Sequence, residues 1–133
     1  MATKWLRVHK AALASGLSTL LPVISACSDG APSPPEGVLS SGAARRAGEE
    51  LFAAHCAICH GARGDGHGLR QDGMVPPPAN LTLPPWSERA SARQTFLAIR
   101  YGVPGTAMAP WPTLSNPEVW QLVAHIETLQ GNR

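Results

Sequence analysis

Cys56, Cys59 and His60 are the residues whose types and spacing point most directly to chemistry. In the run Cys56-Ala57-Ile58-Cys59-His60 the thiols stand three residues apart, and on a helix that spacing puts both on one face. Thiols so placed reach the two vinyl groups along one edge of a porphyrin. His60, one residue on, directs its imidazole at the iron from one side. This C-x-x-C-H spacing is that of c-type haem attachment. A redox dithiol or half of a zinc site would use the same two cysteines. The dithiol has no use for the neighbouring histidine, and zinc needs a further Cys/His pair that the chain does not supply. The cofactor expected is one covalently bound haem c.

The elements that must position these groups read as helices. From about Ala44, Ala47, Leu51, Ala54 and Ile58 recur at three- and four-residue spacing and carry a helix into the motif. Gly61, Gly64, Gly66 and Gly68 then turn the chain in a tight loop, and Pro76-Pro77-Pro78 forces an extended run. Ser91 is placed to cap a helix over Ala92 to Tyr101, closed by Gly102 and Pro104. Ser115 and Glu118 form a capping box, with Pro117 in the first turn. The helix they open presents Val119, Leu122, Ile126 and Leu129 as its apolar face, with Trp120 on the flank and Gly131 at its end. No segment reads as a strand. The fold class expected is all-α, about three helices joined by long loops.

A haem iron with histidine on one side needs a ligand, a substrate or a vacancy on the other. The candidates are Met74, Met108, His55, His67 and His125. His55 precedes the attachment motif and is tied too close to it to cross, so it is expected as an exposed helix residue. His67 sits in the glycine loop. Met74 follows His60 by only 14 residues and is expected to pass on the histidine side. Met108 lies in Gly105-Thr106-Ala107-Met108-Ala109-Pro110-Trp111, a loop between two helices and 48 residues after His60. A thioether on such a loop approaches from the opposite face, which makes Met108 the best-placed candidate.

Taken together, a helix with Gly48, Leu51 and Phe52, the Cys56–His60 motif, a proline segment, the Met108 loop and a final amphipathic helix resemble the class I monohaem cytochromes c. The likeness covers about Ala44 to Leu129. The Pro-Pro-Pro-Ala-Asn80 segment and the Met108-Ala-Pro-Trp loop are more similar to cytochrome modules of bacterial respiratory complexes than to mitochondrial cytochrome c. The resemblance implies the cytochrome c fold, with Cys56 and Cys59 covalently linked and His60 and Met108 as axial ligands. It also implies that a proline carbonyl, from Pro76, Pro77 or Pro78, accepts the His60 Nδ1–H and tunes the ligand. In that family the first and last helices cross with a small residue against aromatics. Gly48 and Phe52 match one side, while His125 stands where a tyrosine is expected.

Residues 1–26 read as a lipoprotein export signal. Lys4, Arg7 and Lys10 precede an apolar run from Ala11 to Ile24, broken by Ser15, Gly16, Ser18 and Pro22. Ile24-Ser25-Ala26-Cys27 resembles the bacterial lipobox, which would leave Cys27 acylated at the new N-terminus; it is also the cysteine left over from the haem motif. Residues 27–43 read as a lipidated cysteine and a Pro/Gly/Ser-rich flexible tether, and 44–131 as the cytochrome domain. The whole-chain charge of +2 depends on the signal. Residues 28–133 hold eight Arg, no Lys and nine acidic residues, a balance of −1. No basic patch argues for nucleic acid. The expectation is an electron carrier on the periplasmic side of a bacterial membrane, anchored through Cys27 and serving redox proteins of a respiratory chain. The alternative is a haem enzyme or a gas or redox sensor with a displaceable sixth ligand. No carboxylate dyad or nucleophile with a base supports an enzyme.

Overall fold

The computed structural model of the chain describes residues 32–83 and 91–130. Among them are four helices and no strand. A 3-10 turn, Val38–Ser40, leads into α1, Gly42–His55, which is followed by the one-turn α2, Ala57–His60, then α3, Ala92–Tyr101, and α4, Asn116–Leu129. Residues 1–26, Cys27 and Gly131 lie outside the described residues.

The ends of the helices follow from their caps. Ser41 Oγ accepts the Ala44 N–H and opens α1 two residues before the periodic pattern becomes readable. Ser91 opens α3 as expected, and Gln94 returns a bond to the Ser91 N–H, a second half of the box that the sequence reading passed over. Ser115 and Glu118 make both halves of theirs. Each such cap is worth about 1 kcal/mol.

Part of the stretch expected as a flexible tether packs on the domain. Val38 and Leu39 pack against the core, and the turn they form rests on α4 and α1, so part of the 27–43 stretch is ordered. The buried face of α1 is also not the expected stripe. Ala44, Gly48 and Phe52 are buried, while Ala47 and Leu51 are half-buried and Ala54 and Ile58 are exposed. Spacing of four residues set the true face; small alanines on both sides of it blurred the pattern.

α1 packs chiefly on α4. Gly48 makes that possible, because a Cβ there would collide with the Gln121 carbonyl and lie 2.9 Å from His125 Cβ. Phe52 sits 5.2 Å from the His125 ring, so the histidine fills the place of the expected aromatic. It is a packed helix residue. α4 is buried almost all round, from Val119 to Ile126 except Gln121. Trp120 is therefore not on a flank: it is 1% exposed and stacks on Phe96 of α3 with centroids 4.6 Å apart. Burying such a side chain stabilises the fold by about 1.5–3 kcal/mol. Leu129, expected on the apolar face, is only half-buried.

Candidate haem site

α1 ends at Cys56, whose backbone (φ −108°, ψ −37°) kinks the chain into α2. The Cys56 N–H still closes on the Phe52 carbonyl at 2.8 Å, and the Cys59 and His60 N–H groups return to the Cys56 carbonyl. Cys56 stands at the N-cap of this short helix and Cys59 within it, both thiols free and partly exposed. Burial first, and then the charge of Cys59, push the Cys56 thiol up to about 11. That direction is opposite to what a redox dithiol needs, since such a site works through a thiolate. Among the described residues no group of three or more His, Cys, Asp or Glu could hold a metal ion.

The loop after the motif is laid back over it by its backbone. Gly66 N–H donates to His60 O at 2.7 Å, Gly68 N–H to Cys59 O at 3.1 Å, and Arg70 N–H to Ile58 O at 2.9 Å. Leu81 N–H then reaches the Gly64 carbonyl at 2.7 Å and draws the segment after the prolines against the loop. His60 Nδ1 consequently stands 3.0 Å from the Ala79 carbonyl oxygen. The acceptor is Ala79, not Pro76, Pro77 or Pro78. The carbonyl that faces the ring is the one whose position Leu81 and the glycine loop determine. With Nδ1–H donating there, the other nitrogen, Nε2, is the one left to bind a metal.

Met108 is half-buried at the margin of the apolar core, as are Cys56 and Ala79. The core thus gathers both cysteine-side and methionine-side groups on its border. The Met108 loop closes through Gly102, whose φ of +72° suits glycine and whose missing Cβ leaves room for Met108 O. Val103 N–H donates to Met108 O at 3.0 Å, and Thr106 Oγ1 accepts the Met108 N–H at 3.0 Å while donating to Val103 O at 2.8 Å. The other candidates go elsewhere. His67 is exposed beside Asp65, whose oxygen accepts its backbone N–H. Met74 is half-buried with its N–H on the Gln71 carbonyl, and His125 is in the helix crossing. His55 is not the exposed residue expected: it is half-buried, its ring 5.2 Å from that of Trp111. It thereby joins the end of α1 to the Met108 loop. Arg100 and Thr106, which hold that loop, were passed over in the sequence; a threonine two residues before Met108 was the available signal.

The family model described as cytochrome c oxidase, cbb3-type, subunit III, matches residues 43–126. The chain belongs to this family. A domain of this cytochrome c type carries haem c and transfers electrons. Among solved structures, a chain of the Kuenenia stuttgartiensis reducing HAO-like protein complex is similar at 28% identity and a TM-score of 0.54. That match covers 62% of this chain and 41% of the other, so the cytochrome domain spans less than half the length of that relative. No curated protein matches the chain significantly. The residues present fit the group such a domain carries. Two adjacent free thiols, an imidazole with Nδ1 already engaged and a thioether at the border of the same core form a donor set suited to haem c.

Proposed function

We propose that the protein is a membrane-anchored monohaem cytochrome c that passes single electrons between respiratory partners. Cys56 and Cys59 would hold one haem by thioether bonds, and His60 Nε2 and Met108 Sδ would bind its iron. Bound haem supplies an iron that exchanges one electron between its ferric and ferrous states. The chain's own part is to hold both ligand positions. Ala79 O orients the His60 ring, and the bonds around Thr106 present the Met108 thioether. The soft thioether favours the ferrous form and raises the potential relative to two histidines. What supports a carrier over an enzyme or sensor is the fastening of the Met108 loop by its own hydrogen bonds, which suits a thioether held in place as a second iron ligand.

Cys27 is the lipidation site in this reading, and the domain faces the periplasm. With no lysine from 28 to 133, partners are not met through a lysine ring. Both the family match and the solved relative, a chain of a multi-protein complex, favour work inside a larger redox assembly.

The deciding measurement is the weak far-red charge-transfer band that thioether ligation gives ferric haem. Wild-type protein should show it and bind carbon monoxide slowly. Met108→Ala should abolish the band, lower the potential and open the iron, while Met74→Leu leaves the band in place. Rapid carbon monoxide binding by a wild type without the band would sink the carrier reading in favour of a sensor or peroxidase. Separately, Cys27→Ser should release the protein from the membrane fraction or block its processing.

A further inference from the structure

The hydrogen bonds that join Val103 and Thr106 to Met108 are local, spanning at most five residues. They shape the loop but do not fix its height above the rest of the domain. Two longer hydrogen-bonded connections do that, beside the His55–Trp111 ring contact, and both meet at Trp111. The Trp111 N–H donates to Ile99 O at 3.1 Å. Arg100, half-buried in the last turn of α3, makes the other. Its Nη1 donates to the carbonyl oxygens of Trp111 at 3.1 Å and Leu114 at 2.6 Å, and its Nη2 donates to Asn116 Oδ1 at 2.8 Å. The same guanidinium lies over the Phe96 ring, 5.8 Å from its centroid. One planar cation therefore joins the end of α3, the far limb of the Met108 loop and the first residue of α4.

We infer that Arg100 is the positioning residue that keeps Met108 on the iron, acting through the loop it ties down. This rests on the reading of Met108 as sixth ligand. A thioether is a weak ligand on its own, so its occupancy depends on how seldom the loop swings away. The fork geometry matters as much as the charge. A guanidinium serves three acceptors in different directions at once, while an ammonium is a point donor on a flexible stem. An apolar replacement also strands the carbonyl of Leu114, a residue only 8% exposed.

The test compares covalently loaded wild-type protein with Arg100→Leu, Arg100→Lys and Ser91→Ala. Ser91→Ala weakens the same helix through its cap, far from the loop. Readouts are the far-red band against pH, the rate of carbon monoxide binding to the ferrous protein, the potential, and helix content by circular dichroism. Arg100→Leu should keep its helix content, lose the band at lower pH than wild type, and bind carbon monoxide about tenfold faster or more. Its potential should fall, and Arg100→Lys should lie between. Should Arg100→Leu fail to accumulate, Arg100→Lys decides: a raised rate supports the assignment, and a wild-type rate overturns it. An unchanged band and rate in Arg100→Leu, or an equal shift in Ser91→Ala, overturns this inference alone. Absence of the band in wild type overturns the Met108 reading and this inference with it.

Discussion

Around Cys56–His60 the chain is stitched by its own backbone, and the contacts come from within about 25 residues of sequence. The carbonyls of Ile58, Cys59 and His60 each accept an N–H from the loop that follows, and Ala79 O accepts the hydrogen bond from the His60 Nδ1–H. Around Met108 the backbone bonds Val103 N–H to Met108 O and Trp111 N–H to Ile99 O are joined by side-chain ties, Thr106 within the loop and Arg100 from the helix before it. The backbone bonds on the histidine side depend on glycine and not on particular side chains: a Cβ at Gly66 would stand 2.9 Å from Pro78 O, and one at Gly68 2.5 Å from Cys59 O. The methionine side depends on single residues. On the proposed ligation, that difference predicts where the iron opens first. Loss of the Thr106 hydroxyl or the Arg100 guanidinium should free Met108, while His60 stays next to the thioether-linked Cys59.

The harshest way to break the contrast is to remove the covalent links. Cys56→Ser with Cys59→Ser should leave no haem on the polypeptide after denaturing electrophoresis or acid–acetone extraction, where wild type retains it. Haem that extracts freely from the wild type would end the c-type assignment. Next in size is Gly102→Val. A Cβ there stands 2.6 Å from Met108 O at a φ of +72°, so the variant should lose about 2 kcal/mol or more in guanidinium unfolding. The far-red band should go with it, and covalent haem should remain. A retained band would mean the loop does not present the ligand.

Ser115→Ala sharpens the comparison from the other side. Removing the α4 cap should cost about 1 kcal/mol of global stability, and because Ser115 stands between the Arg100 acceptors Leu114 O and Asn116 Oδ1, it should shift the band in the same direction as Arg100→Leu but less. The smallest effect expected is at His125. Burial chiefly holds its imidazole below the ordinary histidine range, with Glu49 opposing. The unfolded chain then takes up the proton first, so stability is full above about pH 6.5 and declines as pH falls toward the folded value. His125→Phe should flatten that decline in unfolding curves taken between about pH 7 and pH 5. An unchanged slope would place the acid sensitivity elsewhere.

The attachment motif, the two capping serines Ser91 and Ser115 and the all-α class were legible from sequence, because each is a matter of spacing within a single turn or helix. The face of α1 was not. Ala44, Gly48 and Phe52 are buried because Gly48 lets α4 approach, and that fact lives on the other helix. The order seen at Val38–Ser40 likewise comes from contact with α4, in a stretch whose own composition says only turn. For the same reason Ala79 and not a proline faces His60. The choice among four neighbouring carbonyls is made by the Leu81–Gly64 bond, which only the folded loop brings together. Sequence by itself determined which groups can bind a haem and which segments are helical, since those depend on residue type and local spacing. Tertiary structure decided how Met108 is held, because Arg100 and Leu114 stand 14 residues apart and meet only when α3 and α4 pack around the loop between them.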